Sequence, residues 1–171
     1  MPHKVVIVDY KSSNLDSIFR ATKKFEDNCI VSNDYKEISN AEKLILPGQG
    51  SFYFGMQKII ELNIYDILVE KIKFKKIPTL GICLGMHLLA NYGYEVQKTK
   101  GLSIINGEVV KMKVDEKLPH IGWSEVTIKK ENELFKNIPN NKDFYFVHSY
   151  EFSCDNKENI IGVTNYDKNF T

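Results

Sequence analysis

A cysteine stands between two glycines in Pro78-Thr-Leu-Gly-Ile-Cys-Leu-Gly-Met86, and a thiol in that setting can serve as a nucleophile. Ile77 to Ile82 reads as a short buried strand and Leu84 to Tyr92 as a helix, so Cys83 falls on the sharp turn between them. This is the G-x-S-x-G elbow with sulfur in place of oxygen. Side chains two residues before and after the nucleophile would crowd such a turn, which accounts for Gly81 and Gly85. The start of the helix favours thiolate over thiol and offers the Leu84 N–H to a developing oxyanion. A structural cysteine beside packing glycines explains the bare pattern about as well, so the rest of the chain must decide.

The elements that would carry this turn alternate. Lys4-Val-Val-Ile-Val8 is a continuous apolar run, as in a strand buried on both faces, and it ends at the polar loop Asp9–Asn14. A helix follows with Leu15, Ile18, Phe19, Thr22 and Phe25 on one stripe, capped by Ser13 or Asn14. Cys29–Ser32 and Lys43–Leu46 read as strands, and Pro47-Gly-Gln-Gly-Ser-Phe52 as a glycine-rich loop. Asn63 is expected to cap a helix bearing Ile64, Ile67, Leu68 and Ile72. This βα alternation predicts a largely parallel sheet in a three-layer α/β/α fold. Strands are expected at 107–114, 121–129, 144–148 and 159–163, as a mixed, partly antiparallel extension of the same sheet. The whole of residues 1–171 is expected to form a single domain.

In an open parallel sheet, reactive groups collect beyond the carboxyl ends of the strands. The 9–14 loop, the 47–52 loop and the Cys83 elbow are all expected there. The Gly48-Gln49-Gly50 backbone would then supply a second oxyanion donor opposite Leu84. His87, one helical turn after Cys83, leans toward it; a role lining the pocket fits better than that of a base. Other classes are disfavoured. With 23 basic and 22 acidic residues among 171, the net charge is +1, which gives no electrostatic case for nucleic acid or an anionic membrane. The Lys71–Lys76 run reads as the solvated last turn of a helix. No apolar run reaches the roughly 20 residues of a membrane span, and because Met1-Pro-His-Lys leads straight into a strand no signal peptide is expected. Three cysteines without C-x-x-C spacing argue against a disulfide framework or metal site and for a cytoplasmic setting. No cofactor motif is present.

Five segments in order carry a family resemblance: Val8-Asp-Tyr…Asn-Leu15, Leu46-Pro-Gly-Gln-Gly-Ser-Phe52, Gly81-Ile-Cys-Leu-Gly-Met86, Pro119-His-Ile-Gly-Trp123 and Tyr145-Phe-Val-His-Ser-Tyr150. Together they resemble the class I glutamine amidotransferases, and within them the glutaminase subunits of imidazole glycerol phosphate synthases. The resemblance implies that glutamine is hydrolysed to glutamate and that the ammonia passes to a (β/α)₈ cyclase held in a heterodimer. It implies Cys83 as nucleophile, Leu84 and the Gly48–Gly50 loop as oxyanion donors, and Gly50, His87, Ser149 and Tyr150 at the glutamine. It implies Asn14, Lys11 and Trp123 at the partner interface, with core filling as the plainer role for the sole tryptophan.

Departures also matter. Lys11 and Ser13 replace two glycines usual in the first loop, Gln49 replaces a small apolar residue, and His87 replaces glutamine. The His-Pro-Glu segment that completes the family's triad has no counterpart here, so the base and its carboxylate are expected beyond Thr171. Of the other histidines, His3 reads as surface, and His120 and His148 lie in motifs other than the catalytic one. Three alternatives therefore stand. The chain could supply ammonia to a sugar amidotransferase of surface-glycan synthesis, be a non-catalytic partner-binding subunit, or be a cysteine hydrolase of similar topology.

Overall fold

The computed structural model describes residues 4–11 and 14–171, so the expectations for His3 and for Ser13 as a helix cap fall outside the described residues. The chain divides into two compact units, 1–105 and 106–171.

The first unit is built on four parallel strands: β1 (Val5–Val8), β2 (Cys29–Ser32), β3 (Lys43–Leu46) and β4 (Thr79–Gly81), in the order β2-β1-β3-β4. All four residues of β1 are buried. Because successive side chains point to opposite faces, both faces of the sheet must be covered, as the three-layer reading requires. Helix α1 (Leu15–Lys23) covers one face, laying Leu15, Ile18 and Phe19 against Val5, Ile7 and Cys29. Phe25 is not on that stripe; it lies beyond the helix end and is 91% exposed. Asn14 occupies the N-cap position but makes no side-chain cap bond. Further helices are α2 (Tyr35–Ser39), α3 (Phe52–Glu61), α4 (Tyr65–Val69) and α5 (Leu84–His87), with a π-helical stretch at Glu70–Phe74.

Asn63 does not cap α4. It takes the left-handed φ of +55° and ends α3, where Asn63 N–H bonds Ile60 C=O and Ile64 N–H bonds Ile59 C=O. That is the Schellman pattern, for which asparagine is the usual substitute for glycine. The lysine run is also more than a solvated turn. Lys71 Nζ donates to Ser39 C=O at 2.8 Å and Lys73 Nζ to Ser103 C=O at 2.9 Å, which ties the π-helical stretch to the end of α2 and to the loop at Ser103. A short antiparallel ribbon, β5 (Tyr92–Gly93) with β6 (Thr99–Lys100), completes this unit.

The second unit is antiparallel, and its strands lie outside the parallel sheet. Strand β7 (Gly107–Lys111) pairs with β10 (Tyr150–Cys154). Strands β8 (His120–Ile128), β9 (Lys142–His148), β11 (Gly162–Tyr166) and β12 (Lys168–Phe170) stand in the order β12-β11-β8-β9. Register sorts the β8–β9 ribbon into two faces. Pairs His120↔His148, Gly122↔Phe146 and Ser124↔Phe144 share one; Ile121↔Val147, Trp123↔Tyr145 and Glu125↔Asp143 share the other.

Candidate active site

The strand order makes β1, β3 and β4 neighbours, so the segments leaving their carboxyl ends, at 9–11, 47–51 and 82–83, lie side by side. At the last of them, Cys83 has φ +52° and ψ −115°, a conformation that L-residues adopt only under constraint. The constraint is local. Ile82 N–H bonds Leu46 C=O at 2.9 Å, and Gly85 N–H bonds back to Ile82 C=O at 3.0 Å, which closes the turn. A β-carbon on Gly81 would lie 2.6 Å from Met86 Cα, and one on Gly85 would overlap the Leu46 carbonyl. The glycines flanking the cysteine are there because backbone passes backbone, as the elbow reading expects. Cys83 is exposed, whereas Cys29 is buried and Cys154 is half-buried at the end of β10 rather than in a turn, its Sγ 3.3 Å from Asn156 C=O.

Electrostatics at the sulfur differ from the expectation. The Leu84 N–H hydrogen-bonds the Cys83 sulfur and favours the thiolate, but desolvation outweighs it and the negative charge of Glu95 adds to the desolvation. The thiol is therefore held above its ordinary range. Helix α5 is also only one turn long, Leu84–His87 rather than Leu84–Tyr92, so its dipole is too short to reverse this. The resting site holds a protonated thiol and requires a base to activate it.

The 47–50 loop meets the elbow directly. A β-carbon on Gly48 would lie 2.8 Å from Leu84 Cβ and 2.9 Å from Gly85 N, so this backbone lies against the nucleophile's turn. Gly50 has φ +100°, which a side chain would strain, and Gln49 is exposed. Two contributors carry no motif. Tyr10, 1% exposed, donates its hydroxyl to Pro47 C=O and so pins the loop at its first residue. Burial, with Cys83 second, drives the Tyr10 phenol far above its ordinary value. Glu95, twelve residues past the cysteine, accepts the Phe52 N–H at 2.9 Å, joining the end of the glycine loop to the environment of the thiol. Its only sequence signal is an acidic residue among tyrosines in a polar stretch.

Lys11 adopts φ +61°, with its N–H on Asp9 Oδ1 at 3.0 Å and its Nζ on Asp9 Oδ2 at 2.5 Å. The lysine thus takes the left-handed backbone that glycine takes more easily, and Asp9 holds it there. Asn14 begins α1. His87 N–H bonds Cys83 C=O at 3.2 Å, placing His87 at the end of the elbow's single turn.

Ser149 and Tyr150 belong to the second unit. Ser149 is the bend at which the chain leaves β9 and enters β10; its C=O accepts Met112 N–H at 3.0 Å, and Tyr150 C=O lies 2.9 Å from His148 Nδ1. Trp123 does not fill a core. It is 71% exposed, packs edge-on against Tyr145 at 5.5 Å, and shares an outward face with Ile121 and Val147. Among the described residues, no group of three or more His, Cys, Asp or Glu could hold a metal ion, and no helix is long and apolar enough to cross a membrane.

The family model "Glutamine amidotransferase class-I" matches residues 6–170. The chain belongs to the class I glutamine amidotransferase family. It is 46% identical over 169 residues to imidazole glycerol phosphate synthase subunit HisH 2 of Methanococcus maripaludis, covering 98% of this chain and 83% of that protein. To the HisH subunit of Lactococcus lactis it is 38% identical, covering 95% and 80%. Among solved structures, a glutamine amidotransferase crystal structure superposes with TM-score 0.72 at 13% identity, covering 95% of this chain and 85% of that one. A glutamine amidotransferase from Thermotoga maritima gives TM-score 0.65 at 20% identity, covering 100% and 72%. These last two likenesses speak to the fold.

Proposed function

We propose that this amidotransferase is the glutaminase subunit of an imidazole glycerol phosphate synthase, releasing ammonia from glutamine for a (β/α)₈ cyclase in histidine biosynthesis. The observation that carries the reading is the strained, exposed Cys83 with the Leu84 N–H on its sulfur, in a chain 38–46% identical to such subunits over nearly its whole length.

In this reading the Cys83 sulfur, on losing its proton, adds to the carboxamide carbon of glutamine. The oxygen takes up negative charge against the Leu84 N–H and an N–H of the Gly48–Gly50 loop. As the tetrahedral intermediate collapses, the C–N bond breaks, and the nitrogen leaves as ammonia with the proton taken from the thiol. Water then cleaves the thioester, giving glutamate and the free thiol. Because the thiol is protonated at rest, a shuttle must remove that proton. Glu95, an anion near the sulfur, suits the α-ammonium of glutamine.

In the second unit the outward apolar face of Ile121, Trp123, Tyr145 and Val147 is our candidate for the cyclase contact; in the first unit, Lys11 and Asn14 are separate candidates. Lys11 keeps a glycine-like backbone, so the loss of glycine at that position does not favour a different synthase. Three free cysteines suit a reducing cytoplasm. Glutamine-dependent product formation by the complex with the cyclase tests the reading. Loss in Cys83→Ser with ammonia-dependent product retained supports it, and equal loss of both overturns it.

A further inference from the structure

A short ribbon of the first unit is held by contacts that neither the elbow nor the oxyanion loop requires. Strand β5 pairs with β6 through Tyr92↔Lys100 and Gly93↔Thr99, and residues 94–98 form the tip between them. Within that tip Val96 has φ +71° and is 66% exposed. A β-branched residue enters this region only where its surroundings hold it there. Three ties do so. Thr99 Oγ1 donates to Gln97 C=O at 3.1 Å, and Glu95 Oε2 accepts the Phe52 N–H at 2.9 Å. Lys98 reaches back over two partly exposed rings, its Nζ 4.6 Å from the centre of Tyr92 and 5.6 Å from that of Tyr94.

The ribbon is seated on the start of α3. A β-carbon on Gly93 would lie 2.4 Å from the Phe52 ring, and one on Gly101 would lie 3.0 Å from its Cζ. Ribbon backbone therefore covers the buried Phe52 side chain while Glu95 takes its N–H. Phe52 follows the 47–51 loop directly, and α3 packs on the elbow, since a β-carbon on Gly55 would lie 3.2 Å from Leu84 Cδ2. The position of the tip thus sets the position of the Glu95 carboxylate beside the nucleophile's turn, all within the first unit. The Cys83 thiol registers that carboxylate: burial first, and then the Glu95 charge, oppose its ionisation. A carboxylate accepts at both oxygens, so Oε2 on the Phe52 N–H leaves room for an ammonium at the other.

We propose that Lys98 is a positioning residue of the glutaminase site: by clasping Tyr92 and Tyr94 it keeps the strained ribbon tip closed, so that Glu95 stands where the α-ammonium of glutamine is taken up. This rests on the reading of Glu95 as the partner of that ammonium. The cation is drawn to the negative faces of the rings, which at an exposed site amounts to about a two- to fivefold preference for the closed tip. With the clasp removed, Val96 relaxes to negative φ and carries the adjoining Glu95 away from Phe52.

Glutamine kinetics of the complex with the cyclase test this. Glu95→Gln is the reference and should raise KM for glutamine by about tenfold or more. Lys98→Met keeps the stem and removes the charge; it should raise KM about two- to fivefold with kcat within about twofold. Lys98→Arg, which stacks on the same rings, should restore the wild-type KM. Tyr92→Leu removes the nearer ring, leaves the cation, and should match Lys98→Met. In the Glu95→Gln background Lys98→Met should add nothing to KM, a result that a merely structural role would not give. If Glu95→Gln raises KM and Lys98→Met does not, the clasp fails while the Glu95 reading stands. If Glu95→Gln leaves KM unchanged, that reading fails and the clasp's role fails with it, while the Cys83 assignment stands. The proposal is also overturned if Tyr92→Leu has no effect, if Lys98→Arg is no better than Lys98→Met, or if the Lys98→Met effect persists in full on Glu95→Gln.

Discussion

Replacing Cys83 by glycine should make the protein more stable while removing its nucleophile. Cys83 is held at φ +52°, ψ −115°, and a non-glycine residue in so sparsely populated a region costs about 1–3 kcal/mol. Glycine escapes that cost but loses about 0.5–1 kcal/mol through the freedom it gains in the unfolded chain. The thiol is exposed, so its removal sacrifices little buried surface. The balance favours Cys83→Gly over Cys83→Ala by about 1 kcal/mol, within a range of roughly 0–2.5 kcal/mol. For a chain of this length about 1 kcal/mol moves Tm by about 2–4 °C, so the glycine variant should melt several degrees higher. Thermal unfolding and urea denaturation of wild type, Cys83→Ala and Cys83→Gly side by side would measure it. A glycine variant no more stable than the alanine one would refute the claim that the fold stores strain at the nucleophile.

Other outcomes follow from the same geometry. Glu95→Gln removes an anion that holds the thiol protonated, so iodoacetamide should alkylate Cys83 faster at pH 7 and the rate–pH curve should move to lower pH; an unmoved curve would show that the carboxylate does not act on the sulfur. Tyr10→Phe frees the Pro47 carbonyl, and with the oxyanion loop loosened kcat should fall by about tenfold while KM changes less than about twofold; a pure KM effect would make this a binding loop. His120 is held below its ordinary value of 6.5, so the unfolded state takes up protons first and stability should fall as pH drops below about 6.5. Denaturation midpoints compared between wild type and His120→Phe from pH 7.5 to 5 would test this, and an identical slope in both would contradict it.

The elbow was legible because its causes are local. Gly81 and Gly85 mark the points where backbone meets backbone, and the unbroken Val5–Val8 run marks a strand covered on both sides. The 47–50 loop was legible beside them because strand order places it there. Tyr10 and Glu95 were not, since each acts on a residue more than thirty positions away, Pro47 at 37 and Phe52 at 43, and no spacing rule announces such a bond. The helix after Cys83 was over-extended because Leu88, Leu89 and Ala90 are apolar and buried whether or not they are helical; the turn there closes with Leu102 N–H on Leu88 C=O instead. Strand β10 was missed because Ser149 and Tyr150 read as motif rather than as the start of a new pairing. Lys11 looked like a departure from a glycine loop, but the Asp9 side chain lets it keep the glycine-like backbone.

Cysteine labelling in the working complex tests the central claim most directly. The protein with its cyclase is treated with 6-diazo-5-oxonorleucine, digested and mapped by mass spectrometry, with glutamine hydrolysis followed in parallel. The account predicts adduct on Cys83 alone, protection by glutamine, and loss of hydrolysis in proportion to labelling. Adduct on Cys29 or Cys154 with Cys83 untouched, or hydrolysis persisting in Cys83→Ser, would contradict it.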